Sequence, residues 1–248
     1  ILPLCDDVAV IKNYADKHFS LENGRVVHAL CACLKTILSF YTQSIAKIES
    51  YRPLTFPMLV SQLKPYFETM KMISELVQKL GYKKGCKVLS VIHSFIQPNI
   101  KNEQTRKNLQ FIFQSSSHPL LAFIERFLYT GVIDDPFEEF FIKINEFPEG
   151  LEEQYVSRFW NMKFLTVEKQ LPSFLSQEAI AKILLSGKSR AILMICGEKP
   201  QKYASISIQS LQRGIVLDSA LNTASSLLMS TLRSKYELVS YFDFFHSV

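Results

Sequence analysis

Apolar residues recur every three or four positions along most of this chain, and that spacing limits the fold more than any other feature. The clearest stripe predicts an amphipathic helix over residues 26–49 and comprises Val27, Leu30, Leu34, Ile37, Leu38, Tyr41, Ile45 and Ile48. A second stripe predicts a helix that begins near Thr55 and ends at Gly81, with Pro65 inside it. Only 8 of 248 residues are glycine, which favours helices over a turn-rich β-fold.

Further helices are predicted over residues 86–96, 103–114, 119–129, 177–186, 189–196 and 217–245. Gly131 is expected to end the helix before it in a left-handed conformation. Residues 137–167 hold short apolar runs whose spacing fits no single state, so we leave them as loop or short strand. The fold class that follows is all-α.

The charge balance argues against a nucleic-acid partner. Lysine and arginine total 28 against 23 acids, a net charge of +5. The densest basic cluster, Lys83, Lys84 and Lys87, is interpreted as a solvated loop between helices. No run of 18 apolar residues occurs, so we expect no membrane insertion. Five scattered cysteines are typical of reduced thiols and favour the cytosol.

Motifs for catalysis and for metal binding are incomplete. Gly187-Lys188-Ser189 ends like a phosphate-binding loop, but Lys182 stands where the first glycine is required. His28 and Cys31 have the spacing to share a metal ion, yet two ligands do not make a site. We therefore predict no enzyme, no metal site and no cofactor.

Acidic residues cluster at Asp134, Asp135, Glu138 and Glu139, as in a cation site or an acid–base pair. We interpret them instead as a capping box that opens a short helix. In that interpretation Asp135 is the N-cap residue, Pro136 is the first helical residue and Glu138 is the third.

The stretch Gly131-Val-Ile-Asp-Asp-Pro-Phe-Glu-Glu-Phe-Phe-Ile142 resembles the first conserved motif of the γ-tubulin complex proteins, in which a glycine leads to Asp-Pro-aromatic-x-Glu-Phe. Further segments of the chain follow in the family's order. The residues that carry the resemblance are Gly131, Asp134, Asp135, Pro136, Phe137, Glu139, Phe140, Trp160, Pro172, Ser173, Phe174, Leu175, Gly187 and Lys188. Phe137 departs from the tyrosine that is common in the family, but it keeps the aromatic ring.

Gly24-Arg-Val-Val-His-Ala-Leu-Cys-Ala32 is similar to the second component of this family. Lys83-Lys-Gly-Cys-Lys87 and Ser117-His-Pro-Leu-Leu121 resemble the third component, which stays open as an alternative. A helical adaptor of an unrelated family is the other alternative.

The resemblance implies an elongated array of helical bundles with no catalytic role. Residues 1–115 would form an N-terminal helical bundle, and residues 116–248 would form the bundle of the first motif. In the family the N-terminal half stands beside its neighbours in a ring, and the C-terminal half grips γ-tubulin. The chain starts without methionine and its last stripe runs to Val248, so we expect a longer protein, truncated here before the γ-tubulin-binding domain.

The resemblance also implies partners and a location. The partners are other γ-tubulin complex proteins at the sides, γ-tubulin through the C-terminal half, and small accessory and centrosomal tethering proteins. The location is the cytoplasm and cytoskeleton, at the centrosome, spindle pole or another microtubule-organising centre. The implied function is a scaffold that helps a ring to template microtubule nucleation.

Overall fold

A computed structural model describes residues 2–50, 55–96, 103–145, 162–197, 199 and 206–245. Within those ranges the chain is largely helical, which confirms the all-α prediction. The α-helices described are α1 Leu2–His18, α2 Arg25–Ser50, α3 Phe56–Leu80, α4 Cys86–Phe95, α5 Glu103–Thr130, α6 Gln177–Ile195, α7 Ile208–Arg213 and α8 Ile215–Phe245. Short 3₁₀ turns cover Leu21–Asn23 and Glu168–Gln170.

A small antiparallel sheet stands among these helices. Strand β1, Ile142–Ile144, pairs with β2, Phe164–Thr166, and Lys143 lies opposite Leu165. The sequence predicts loop or short strand over residues 137–167. Strand β1 begins only at the last residue of the first apolar run, Phe140-Phe141-Ile142, whereas β2 covers most of the second run, Phe164-Leu165-Thr166-Val167.

The residues form two compact units by their internal contacts. Unit 1 is Ile1–Leu120 with Phe137–Glu139, and unit 2 is Leu121–Pro136 with Phe140–Val248. In unit 1, α1 packs on α2 and α3, and α4 packs on α3. In unit 2, α8 packs on α6 and α7. The predicted domains, residues 1–115 and 116–248, stay a prediction, because compactness does not show that either part folds alone.

Two pairs of predicted helices are each one continuous helix. Residues 103–114 and 119–129 belong to α5, with Pro119 inside it. The segments 177–186 and 189–196 belong to α6, with Gly187 inside it. In α5 the buried side chains continue on both sides of the proline, at Leu109, Ile112, Phe113, Leu120, Phe123 and Ile124. Packing of that apolar face outweighs the local cost of the proline.

Helix α1 was not predicted, although its buried residues have helical spacing. These residues are Leu4, Ile11, Tyr14 and Ala15. Acidic and exposed residues, among them Asp6 and Asp7, separate the buried positions, so the apolar stripe is narrow. The helix forms because its narrow apolar face packs against α2 and α3.

Among the described helices of at least 18 residues, α2 alone is long and apolar enough to cross a membrane by length and composition. Six of its seven buried residues lie between Val26 and Leu34. Its Lys35 pairs with Asp16 of α1 at 3.1 Å. The first half of α2 therefore packs in the core of unit 1.

Candidate functional site

The first motif adopts a loop. Residues 131–141 contain no helix, so the capping box predicted at Asp135, Pro136 and Glu138 is wrong. The chain turns at Pro136 and Phe137, and Glu138 has a φ of +53°, in the left-handed region. The prediction failed because Asp135 accepts a hydrogen bond from the Phe140 amide, five residues later, and does not cap a helix that begins at Pro136.

Gly131 ends α5 as predicted. Its φ is +68°, and its amide donates to the Phe127 carbonyl at 2.9 Å. A Cβ atom at this position would overlap the backbone of Ala191 on α6. Glycine is therefore required twice, once for the left-handed turn and once for the close approach of α6.

Asp134 and Asp135 each have a structural partner. Asp134 pairs with Arg126 at 2.6 Å, and both side chains are about half exposed. One carboxylate oxygen of Asp135 accepts from the Phe140 amide at 2.6 Å, which closes the loop across Pro136. The other oxygen of Asp135 is buried and accepts no hydrogen bond from any of the described residues.

Glu139 belongs to unit 1, where it caps the first turn of α2. Its carboxylate accepts from the Arg25 amide at 2.6 Å and from the Val26 amide at 3.2 Å. The residue is 2% exposed. A buried carboxylate at the positive end of a helix satisfies amides that lack intrahelical partners and interacts favourably with the helix dipole.

Two glycines make room for Glu139. A Cβ on Gly24 would overlap the carboxylate, and a Cβ on Gly85 would lie 2.8 Å from the Glu139 carbonyl. The Cys86 thiol donates to that carbonyl at 3.4 Å. The motif glutamate thus joins the start of α4 to the start of α2 within unit 1.

Phe140 lies in an aromatic cluster in the core of unit 2. Its ring is 5.9 Å from that of Phe123 and 6.3 Å from that of Phe127, and Phe127 lies 5.1 Å from Phe164 of β2. A Cβ on Gly187 would overlap the Phe127 ring. Gly187 therefore admits this ring against α6, and its place inside a helix rules out a phosphate-binding loop.

Four further motif residues come just before α6, and a fifth lies inside it. Pro172, Phe174 and Leu175 are buried, whereas Ser173 is exposed. The Leu175 amide donates to the Pro172 carbonyl at 3.2 Å, forming the turn that precedes α6. Lys188 is half-buried, and that burial lowers the pKa of its ammonium group. Phe137 belongs to unit 1 and is half-buried, and Trp160 lies outside the described residues.

A hollow of about 570 Å³ lies between α2, α3 and α5 in unit 1. Its walls include the aromatic rings of Phe40, Tyr41, Tyr66 and Phe111. No carboxylate, imidazole or thiol lines it, and its other polar lining residues include Ser44, Thr69, Gln104 and Asn108. Across the part of the chain that the structure describes, no three His, Cys, Asp or Glu residues are grouped to hold a metal ion.

Two polar residues of unit 2, one buried and one half-buried, were missed by the sequence analysis. Arg190 of α6 is 2% exposed, and its guanidinium donates to the Tyr129 carbonyl at 2.9 Å and to the Lys199 carbonyl. The Glu125 carboxylate accepts from the Ile206 amide at 2.6 Å. The burial of Arg190 had one signal in the sequence. Arg190 lies seven residues after Ile183, two helical turns further along α6, and therefore on the same buried face.

Comparison with known proteins matches residues 1–240 to the family described as "Gamma tubulin complex component N-terminal". The chain belongs to this family. It is 27% identical to γ-tubulin complex component 2 of mouse over 97% of this chain and 28% of that protein. It is also 27% identical to component 2 of Arabidopsis thaliana, over 96% of this chain and 37% of that protein.

The chain is also similar to the family's third component. It is 26% identical to human γ-tubulin complex component 3 over 69% of this chain and 20% of that protein. The chain thus spans roughly a third of the length of the component 2 relatives, or less. In the family member described here, the motif residues that the structure covers hold helix ends, a turn and an aromatic core.

Proposed function

We propose that this chain is a non-catalytic scaffold segment of a γ-tubulin complex component. It would contact neighbouring components side by side, so that the assembled ring templates microtubule nucleation at microtubule-organising centres. The observation that carries the proposal is the match of residues 1–240 to the N-terminal family. The motif acids support it, because Asp134, Asp135 and Glu139 are all engaged in holding the fold.

A role like that of component 2 is favoured over a role like that of component 3. The component 2 proteins of mouse and Arabidopsis thaliana are 27% identical over 97% and 96% of this chain, against 24% identity over 93% for the component 3 homologue of Xenopus laevis. Component 3 remains the second candidate, because the percentage identities are nearly equal.

Two parts of the protein are proposed to bind different partners. The 248 residues supply side-to-side contacts with other family members, and γ-tubulin is held by the C-terminal half that the family resemblance implies. Accessory and centrosomal tethering proteins are further expected partners. The location that follows is the cytoplasm and cytoskeleton, at the centrosome, spindle pole or a similar organising centre.

A capture experiment with separated partners tests this division. The tagged 248-residue chain is immobilised and offered full-length component 2, full-length component 3 or γ-tubulin, one at a time. We expect capture of at least one component and no capture of γ-tubulin above the level of an unrelated helical protein. Strong retention of γ-tubulin, or retention of neither component, would overturn the proposal.

A further inference from the structure

Five exposed lysines gather in unit 1 where α1 and α3 end and α4 begins. Lys17 is in the last turn of α1, Lys79 is in the last turn of α3, Lys83 and Lys84 are in the linker, and Lys87 is in the first turn of α4. We name this set the lysine patch. In the sequence, only Lys83, Lys84 and Lys87 form a cluster. Lys17 lies near them in the folded chain because α1 packs against α3.

Contacts in and around the linker hold the patch together. The Lys17 ammonium lies 3.3 Å from the Tyr82 hydroxyl. The Lys83 ammonium donates to the Lys79 carbonyl at 2.8 Å, and the Lys84 ammonium donates to the Glu22 carbonyl at 3.1 Å. The Lys79 ammonium also lies 4.7 Å from the centre of the Phe95 ring, at the other end of α4, and the Lys17 ammonium lies 5.3 Å from the centre of the Tyr82 ring. All of these partners are uncharged, so the positive charges are not neutralised.

No lysine of the patch forms an ion pair with a carboxylate among the residues that the structure describes. Elsewhere Lys35 pairs with Asp16, and Lys182 pairs with both Glu178 and Asp218. Helix dipoles explain Lys17 and Lys79, because cations are favoured at the C-terminal end of a helix. They do not explain Lys87, which lies at the positive end of α4.

The linker that carries the patch is anchored at one end. Gly85 and Cys86 are buried against the Glu139 backbone. Tyr82, between Gly81 and Gly85, is 82% exposed. The anchored end places an exposed ring among unneutralised charges on the surface of unit 1, where a partner can contact both.

We propose that the lysine patch binds an acidic polypeptide segment of a partner protein. Aspartate and glutamate side chains of that segment meet the lysine ammonium groups, and an apolar side chain packs on the Tyr82 ring. The net charge of the whole chain is only +5, and the patch is confined to one linker and the helix ends beside it, whereas a nucleic-acid binder typically carries a basic stripe along a whole face. This confined charge favours a short acidic segment over nucleic acid. The inference goes beyond the scaffold role and does not depend on it.

Binding of a fluorescein-labelled decaglutamate peptide to the 248-residue chain tests the inference. The variant combines Lys84→Glu with Lys87→Glu and keeps Lys83, whose hydrogen bond closes the end of α3. The matched control combines Lys64→Glu with Lys71→Glu, which changes the net charge equally at two other exposed lysines of α3. Circular dichroism first establishes that both variants are folded.

We expect the patch variant to bind decaglutamate about tenfold more weakly than the parent chain, since two exposed ion pairs are replaced by repulsions. The control should bind within about twofold of the parent, and added salt should weaken binding by the parent. An equal loss in both variants would overturn the proposal. Tighter binding of a single-stranded oligonucleotide or of phosphatidylserine vesicles than of decaglutamate, lost in the patch variant, would also overturn it.

Discussion

Gly131 combines a left-handed backbone with a steric contact, and the two effects are separable by substitution. Gly131→Ala adds a methyl group that overlaps Ala191, while Gly81→Ala adds one at φ +51° with nothing within 4 Å. We expect the Gly81 change to cost about 1 kcal/mol from backbone strain and the Gly131 change to cost about 2–4 kcal/mol. Urea unfolding measures both. Equal costs would mean that the approach to Ala191 does not matter.

Glu139 is expected to stabilise the start of α2 through its charge. Glu139→Gln keeps the size of the side chain but loses the carboxylate that accepts from the Arg25 and Val26 amides, at a cost of about 1–2 kcal/mol. The control is Glu75→Gln on the exposed side of α3, which should change the free energy of unfolding very little. The capping role fails if the two substitutions have equal effects.

The left-handed turn at Gly131 could be predicted from the sequence, because a glycine after a helical stripe is a local signal. The role of Glu139 could not, since Arg25 and Val26 lie more than a hundred residues earlier in the chain. A capping box at Asp135 fitted the local pattern equally well. Asp135 instead accepts from the Phe140 amide, five residues later, and the local pattern does not distinguish this loop closure from a helix cap.

A substitution at Pro119 measures how much this proline destabilises helix α5, which continues on both sides of it. A proline inside a helix removes one backbone hydrogen bond and crowds the preceding turn. Pro119→Ala should therefore raise the free energy of unfolding, by about 1–3 kcal/mol. Pro57→Ala is the control, because Pro57 lies in the first turn of α3, where proline is already favourable. A loss of stability in the Pro119 variant would contradict the continuous helix.

The contact of α1 with α2 should weaken at high pH. Burial raises the pKa of the Cys31 thiol on α2 from its ordinary value of 9.0 to about 11. The folded chain holds this proton more tightly than the unfolded chain, so the stabilisation is complete below pH 9 and is lost as the pH rises towards 11. Burial also raises the pKa of Tyr14 on α1, to about 12.

The melting temperature between pH 8 and pH 11 measures this effect. The parent chain should lose more stability over that interval than a Cys31→Ala variant, which keeps every other titrating group. Parallel pH curves for the two proteins would show that the thiol does not contribute.

Helices with wide apolar stripes, such as α2 and α3, were predictable because their period repeats over many turns. Helix α1 was not, since its few buried residues are separated by acids and by exposed positions. The breaks expected in α5 and α6 were also wrong. The low helix propensity of Pro119 and Gly187 is visible in the local sequence. The tertiary packing that buries the apolar faces of α5 and α6 and keeps both helices continuous is not.

For the chain as a whole, the order of motifs along the sequence indicated the family, and the match over residues 1–240 confirmed it. The division into two units was less accessible to prediction. Residues 137–139 belong to unit 1 although the residues on either side belong to unit 2. The sequence analysis placed one boundary, between residues 115 and 116, and a single boundary cannot assign residues 137–139 to the first unit.

The proposed division of labour is tested most directly by counting microtubules in a reconstituted nucleation reaction. The 248-residue chain is titrated in before or after the γ-tubulin complexes assemble. If the chain contacts neighbouring components but does not bind γ-tubulin, it should cap growing rings. Early addition should then lower the number of microtubules. Late addition should have less effect, and the chain alone should nucleate none. Nucleation by the chain alone, or equal inhibition at both times, would contradict the scaffold role.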